Sequence, residues 1–143
     1  MLVCPILTQA QDLKIILFGD SLMAGYGLDP LNHLDRVLEK DLLDKGIVSQ
    51  ITNASVSGDT SNGGLNRLSW SLQDDYDLFI LALGANDMLR GISPDTTKAN
   101  LEEIIKIVQK KNISIISSNF FCQFSDSFYR YSRHWFDGKF RRG

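Results

Sequence analysis

The chain has 143 residues, of which 43% are hydrophobic and 22% are charged, and its formal net charge is −2 at pH 7. This length suits one domain with its own core, and the composition is typical of a soluble globular protein. The small net charge argues against a nucleic-acid partner and against binding to a strongly charged membrane surface. No apolar stretch reaches the about 20 residues that a membrane span requires.

The start of the chain predicts no export signal. Residues 1–7 are apolar but lack the basic start and the small-residue cleavage site of a signal peptide. We therefore expect a cytoplasmic protein, with a periplasmic or secreted one as the alternative if the true start lies upstream. Cys4 and Cys122 show neither metal-site spacing nor a Cys-x-x-Cys pattern, which predicts two free thiols.

The predicted elements alternate between strands and helices along the chain. Short apolar runs predict strands at 13–18, 47–52, 78–83 and 113–116. Apolar periodicity and end signals predict helices at 31–45, at 61–72 and from Pro94 to 111. The stretches 53–60 and 84–91 are predicted loops. This order predicts a parallel sheet with helices on both faces.

The last residues of the chain differ in composition from the rest. Nine of its 14 aromatic residues lie between positions 120 and 140, where basic residues also outnumber acidic ones. This region shows neither the alternation of a strand nor the sustained apolar stripe of a helix. We therefore expect a partial α/β domain at 1–116 and an atypical tail at 117–143.

Polar loops follow each of the first three predicted strands. They are Gly19-Asp-Ser-Leu22, Val56-Ser-Gly-Asp-Thr60 and Gly84-Ala-Asn-Asp87. Because the carboxyl ends of parallel strands meet at one edge of a sheet, we expect these loops to lie together. Ser21 offers a hydroxyl, while the N–H groups of Ser21 and Gly58 and the side-chain amide of Asn86 offer three donors for an oxyanion. Acyl transfer needs these groups.

The three loops resemble the first three sequence blocks of the SGNH, or GDSL, esterase and lipase family. The resemblance is strongest to its arylesterase, acyl-CoA thioesterase and lysophospholipase branch. It covers roughly residues 13–116, and it rests on residues 18–22 with Gly25-Tyr-Gly27, residues 53–61 with Gly64-Leu-Asn-Arg-Leu68, and residues 83–91. Three blocks in order, each after a predicted strand, are far more specific than any one alone.

The resemblance implies a flavodoxin-like three-layer α/β sandwich with a parallel sheet, incomplete at its C-terminal end. It also implies a serine esterase or thioesterase that cleaves carboxylic ester or thioester bonds of small acyl substrates or lysophospholipids through an acyl-enzyme. Ser21 would be the nucleophile, with Gly58 and Asn86 in the oxyanion hole, and Asp20 and Asp59 would brace the loops. No metal or organic cofactor is implied.

The catalytic base is the part of the family pattern that this sequence lacks. The family carries it as the histidine of an Asp-x-x-His block near the carboxyl end. The two histidines here are His33 and His134, and the residues three positions before them are Pro30 and Tyr131. His33 lies in a helix-forming stretch, so His134 is the remaining weak candidate. We expect truncation by a frameshift near codon 117, which makes a catalytically dead remnant the alternative function.

Other interpretations of these loops remain open at this point. Ser21 could be a turn serine that caps the next helix, and Gly58-Asp59 could be an ordinary turn. A nucleotide-binding module is a second function class, although the chain lacks the Gly-Lys-Ser/Thr ending of a phosphate loop and the three-glycine dinucleotide pattern. A non-catalytic binding protein on the esterase scaffold is a third.

Overall fold

The structure, a computed structural model, describes residues 12–117. The predicted free thiols of Cys4 and Cys122, the base candidate His134 and the predicted tail beyond Ser117 lie outside the described residues. The elements, in chain order, are β1 (Leu13–Gly19), α1 (Ser21–Ala24), a 3-10 helix (Pro30–Asn32), α2 (Leu34–Asp44), β2 (Ser49–Asn53), α3 (Ser61–Ser71), β3 (Leu78–Ala82), α4 (Ala85–Leu89), α5 (Pro94–Lys110) and β4 (Ser114–Ser117).

The four strands form one parallel sheet in the order β2-β1-β3-β4. β1 is central, and its Ile16 lies beside Thr52 of β2 and Phe79 of β3. This order is that of a flavodoxin-like sheet, in which the strand order reverses between the first and third strands. The predicted α/β fold with a parallel sheet is therefore confirmed.

One face of the sheet packs against α3 and α5. Ile16 and Phe18 of β1 and Phe79 of β3 are fully buried there with Leu68 of α3 and Ile104 of α5. The rings of Phe18 and Phe79 lie 5.2 Å apart between centroids, within the range of favourable aromatic pairs. Consecutive residues of β1 face opposite sides of the sheet, and both sides are covered, which explains why residues 15–18 form a continuous apolar run.

The opposite face of the sheet packs against α1 and α2. Ile15 and Leu17 of β1 and Met23 of α1 form its buried cluster, with Leu38 and Leu42 of α2 packed against it. Helices thus cover both faces of the sheet, as the alternation of elements predicted, and the described residues form three layers.

Two predicted elements differ from the structure. The helix predicted at 31–45 is divided, because Asp29 caps a short 3-10 helix through the Leu31 N–H and His33 then adopts an extended backbone before α2 begins. Leu31 is consequently 81% exposed rather than part of a packed stripe. The second difference lies at 84–91, which was predicted as a loop.

The stretch 84–91 contains the five-residue helix α4. Gly84 starts it with φ of 117°, a conformation that favours glycine. A buried carboxylate at Asp87 then holds this turn against α3 and α5. The helix propensity of residues 84–91 did not predict this helix, because the hydrogen bonds that hold it come from residues distant in the chain.

No helix in residues 12–117 combines the length and the hydropathy that crossing a membrane requires.

Candidate active site

The loops after β1, β2 and β3 meet at the carboxyl edge of the sheet. The Val56 N–H donates to the Gly19 carbonyl at 3.0 Å, and the Ala54 N–H donates to the Leu17 carbonyl at 2.8 Å. The Asn53 amide reaches the Met23 carbonyl at 2.9 Å. These bonds tie the second loop to the first, as expected for loops at the ends of neighbouring parallel strands.

Ser21 is the first residue of α1, directly beyond β1. The cap of this helix is Asp20, whose carboxylate accepts from the Leu22 N–H at 3.1 Å. Asp20 is only 3% exposed, whereas Ser21 is half-buried. Capping therefore falls to Asp20 and not to Ser21, so the interpretation of Ser21 as a capping serine does not hold. The helix ends at Gly25, where φ is 77°.

Gly58 lies in a tight turn of the second loop. Its φ of 81° is in the left-handed region, where a side chain adds strain. The Asp59 N–H closes the turn on the Val56 carbonyl at 3.1 Å. Arg90, just after α4, donates to the Gly58 carbonyl at 2.7 Å. The orientation of the Gly58 carbonyl is thus fixed from the third loop.

Asn86 of α4 reaches across to both other loops. Its side-chain amide nitrogen donates to the Asp59 carbonyl at 2.9 Å and lies 3.5 Å from a carboxylate oxygen of Asp20. The first is a good hydrogen bond, and the second is at the outer limit. The structure therefore brings together Asp20, Asp59 and Asn86, three of the residues that the sequence singled out.

The backbone donors of the two predicted oxyanion positions are not engaged. Among residues 12–117, no acceptor is hydrogen-bonded to the N–H of Ser21 or to the N–H of Gly58. At the first turn of a helix an N–H has no intrahelical acceptor, which explains the first case. Within the described residues, both N–H groups therefore lack a hydrogen-bond acceptor.

A buried carboxylate beneath α4 holds the third loop in place. Asp87 is fully buried and accepts from the Ser61 N–H at 2.7 Å, from the Ser61 hydroxyl, and from the Thr97 hydroxyl at 3.2 Å. Asn100 of α5 donates to the Ser61 hydroxyl at 3.0 Å. This network joins α3, α4 and α5 directly next to Asn86.

Two residues of the site region escaped the sequence reasoning. Asp87 was quoted only as part of a motif, and Arg67, which pairs with Asp59 at 2.7 Å, was quoted only as part of a resembling stretch. The acidic residue beside Asn86 was a detectable signal for Asp87. Thr97, which donates to Asp87, and Asn100, which donates to Ser61, lie one helix further on, and nothing in the sequence pattern indicated them.

Within residues 12–117, no hydrogen bond joins His33 to Ser21. His33 is half-buried between the 3-10 helix and α2, and its Nε2 lies 3.3 Å from the Leu28 carbonyl. Its ring packs on the backbone of Gly25. His134 lies outside residues 12–117. Within those residues no three of His, Cys, Asp and Glu are grouped as a metal site would need.

Comparison with known proteins identifies the family of this chain. A family model described as the GDSL-like lipase/acylhydrolase family matches residues 17–141, which includes all three loops. The chain belongs to the GDSL-like lipase/acylhydrolase family.

Two proteins that are named as esterases are similar to this chain. An arylesterase from Vibrio mimicus is 35% identical over 123 residues, covering 81% of this chain and 62% of the relative. The esterase TesA from Pseudomonas aeruginosa is 36% identical over 109 residues, covering 76% of this chain and 54% of the relative. The chain thus spans between half and two thirds of the length of these relatives.

A solved structure from the same family shares the architecture. The crystal structure of AlinE4, an SGNH-hydrolase family esterase, superimposes with a TM-score of 0.75 at 36% identity, covering 91% of this chain and 75% of that protein. The predicted family and fold are confirmed. The boundary predicted at residue 116 stays a prediction, as do the roles of individual site residues.

Proposed function

We propose that this GDSL-family chain is a serine ester hydrolase with Ser21 as nucleophile. The Ser21 N–H, the Gly58 N–H and the Asn86 amide would form its oxyanion hole. The single observation that carries the proposal is the position of Asn86, whose amide is anchored on the Asp59 carbonyl and lies beside Asp20. This contact links the third loop to the second and to the residue next to Ser21.

The proposed reaction follows from these groups. The Ser21 hydroxyl oxygen attacks the acyl carbon, its proton passes to a base, and the carbonyl oxygen becomes an oxyanion held by the three donors. As the intermediate collapses to an acyl-enzyme, the base returns the proton to the leaving-group oxygen, which departs as the neutral alcohol. Water then attacks the acyl-enzyme by the same steps in reverse, which releases the acid and restores Ser21. A thioester would react in the same way with a thiol as leaving group.

Asp20 and Asp59 have supporting roles in this proposal. Asp20 caps α1 and is almost fully buried, while the Asp59 carboxylate is occupied by Arg67. A carboxylate already bound to the backbone or to a guanidinium is a poor nucleophile but a good brace. A short-chain aryl ester is the proposed substrate, because the similar protein from Vibrio mimicus is named an arylesterase.

A second candidate function is a protein that keeps the esterase scaffold without hydrolysing esters. The observation that favours it is the absence of an Asp-x-x-His pattern at both His33 and His134. In a serine protease, removal of the histidine costs about 2 × 10⁶ in kcat and leaves about 10³–10⁴ over water. A chain of this kind would bind an acyl substrate at the same edge and turn it over extremely slowly.

Hydrolysis of a short-chain p-nitrophenyl ester by the purified chain distinguishes the two functions. We expect Ser21→Ala to lower the rate to the background, while Ser69→Ala, an exposed serine of α3, keeps the wild-type rate. Labelling of the protein by a fluorophosphonate probe should likewise depend on Ser21. Equal rates for the wild type and Ser21→Ala would reject the esterase and support the second candidate.

The Asn86 amide is tested separately from the nucleophile. We expect Asn86→Ala to lower kcat by about 10²–10³, the typical cost of one oxyanion donor, with a much smaller change in KM. Asn66→Ala, at an exposed position of α3, is the matched control and should behave as the wild type. Wild-type kcat in Asn86→Ala would remove Asn86 from the proposed oxyanion hole.

A further inference from the structure

A single arginine of α3 contacts both the first and the second loop of the candidate site. The Arg67 Nε donates to the Asp59 carboxylate at 2.7 Å, and its Nη1 donates to the Ala54 carbonyl at 2.6 Å. Its Nη2 donates to the Gly19 carbonyl at 3.3 Å. Two of these acceptors belong to the second loop and the third ends β1, so one guanidinium group spans the junction between β1 and the second loop.

The partners of Arg67 lie next to the proposed reacting groups. Gly19 is separated from Ser21 by Asp20 alone, and its carbonyl also receives the Val56 N–H of the second loop. Asp59 follows Gly58 in the chain. The carboxylate of Asp59 is held by Arg67, while the carbonyl of the same residue receives the Asn86 amide at 2.9 Å. Arg67 thus reaches all three loops, the third through Asp59.

The surroundings of Arg67 restrict the guanidinium to this position. Its carbon lies 3.9 Å over the centre of the Phe18 ring, a favourable cation–π distance. The side chains of Arg67 and Asp59 are only 23% and 11% exposed. Partial burial weakens screening of this ion pair by solvent, and the carbonyl acceptors complete the hydrogen bonding of the charged group.

The geometry requires an arginine rather than any cation. A guanidinium has five donors in a fixed plane, so it can serve a carboxylate and two carbonyls at once while its face lies on an aromatic ring. A lysine ammonium is a point charge without a planar face. It could retain the pairing with Asp59 but could not keep all the contacts in the same positions.

We propose that Arg67 is a positioning residue. It holds the Ser21 loop, the Gly58 loop and Asn86 at the mutual distances that ester cleavage requires. This proposal rests on the proposed esterase function. Arg67 does not touch the substrate, because its donors are directed at Asp59 and at the carbonyls of Ala54 and Gly19. It acts through the spacing between the nucleophile and the oxyanion donors.

The test compares Arg67→Lys with the wild type and with Arg36→Lys. Arg36 lies on α2 in an exposed ion pair with Glu39, so its replacement is a matched control that should leave kcat and KM unchanged. For Arg67→Lys we expect kcat to fall about 10²-fold with KM nearly unchanged, since small misplacements of catalytic groups have costs of this size. In Arg67→Ala, added guanidinium ion should restore part of kcat. A folded Arg67→Lys protein with wild-type kcat would overturn the proposal.

The side-chain amide of Asn86 gives a second readout that does not depend on activity. Its ¹⁵N–¹H signals, assigned by their loss in Asn86→Asp, should shift in Arg67→Lys and stay in place in Arg36→Lys. If the wild type hydrolyses no faster than Ser21→Ala, the proposed function fails, and these signals alone decide whether Arg67 positions the loops. Unchanged Asn86 signals in Arg67→Lys would overturn the positioning role.

A second, less disruptive variant covers the case in which Arg67→Lys fails to fold. If Arg67→Lys does not fold, Asp59→Asn replaces it, because this change removes the ion pair and keeps the backbone carbonyl that binds Asn86. We expect a loss of kcat in the same direction, with KM again nearly unchanged. Wild-type kcat together with unshifted Asn86 signals in Asp59→Asn would overturn the proposal.

Discussion

At the scale of single residues, the candidate site depends on backbone conformations that few residue types adopt. Gly25, Gly58 and Gly84 all have positive φ values. Gly25 ends the helix that carries Ser21, Gly84 precedes the helix that carries Asn86, and Gly58 lies in the second loop. For Gly25 a second restriction applies, because the His33 ring packs against its Cα. The left-handed conformation and the steric contact can be separated by experiment.

Gly25→Ala and Gly27→Ala form a matched pair for this purpose. The φ values are 77° and 80°, but a Cβ at Gly25 would lie 2.5 Å from a His33 ring carbon, whereas a Cβ at Gly27 would meet nothing within 4 Å. We expect Gly27→Ala to lower the free energy of unfolding by about 1 kcal/mol, the cost of left-handed backbone with a side chain. Gly25→Ala should cost clearly more.

Urea unfolding of both variants measures this difference. The midpoint should fall further for Gly25→Ala than for Gly27→Ala, with similar slopes. Equal midpoints for the two variants would show that His33 moves away at no cost. In that case the packing of the ring on Gly25 contributes nothing to the stability of the loop.

At the scale of elements, the site is organised by polar contacts between helices as well as by the strands. Asp87 of α4 is buried without a cation among its hydrogen-bonding partners in residues 12–117, and it accepts from Ser61 of α3 and Thr97 of α5. A buried carboxylate with several donors is a strong local constraint. It fixes the short helix that presents Asn86.

Asp87→Ala should therefore destabilise the protein through its unsatisfied partners. We expect a loss of about 3 kcal/mol in the free energy of unfolding, because removing one member leaves buried donors without an acceptor. Asp75→Ala, at an exposed position between α3 and β3, is the control and should change stability by less than about 0.5 kcal/mol. Thermal unfolding followed by circular dichroism measures both. Similar stability of the two variants would contradict a structural role for Asp87.

The sequence predicted the strands better than the short helices. β1 and β3 were predicted to within one residue because each is a mostly apolar run that stops at a glycine or just before one. Residues 84–91 were predicted as a loop because five residues are too few for a periodic pattern. The helix there depends on Asp87 and its partners, which are distant in the chain.

At the scale of the whole molecule, the sheet divides the core into two clusters that share β1. Ile16 and Phe18 belong to the cluster under α3 and α5, while Ile15 and Leu17 belong to the cluster under α2. Alternate residues of one strand thus connect the two faces. The helices on both faces of the sheet bury their apolar sides against β1. We therefore expect the described residues to unfold as one cooperative unit.

Leucine-to-alanine variants on the two faces test this cooperativity. Leu17→Ala and Leu81→Ala remove buried side chains from opposite clusters, and each should cost about 2–5 kcal/mol. Leu31→Ala is the control, since Leu31 is 81% exposed. Both core variants should shift one common transition, followed by circular dichroism and by tryptophan fluorescence. Two separate transitions in either variant would contradict a single unit.

The α/β class, the family and the three loops that carry the candidate site could be predicted from the amino-acid sequence. Those properties are local, since they depend on apolar runs, on glycines at strand ends and on short motifs in a fixed order. The side chains that hold the loops together could be identified only from the packed structure. Arg67 reaches Asp59 and the Gly19 carbonyl, and Asp87 reaches Thr97, because the crossover helices bring distant segments to one sheet edge. Contacts of this kind arise from packing, and periodicity along the chain does not encode them.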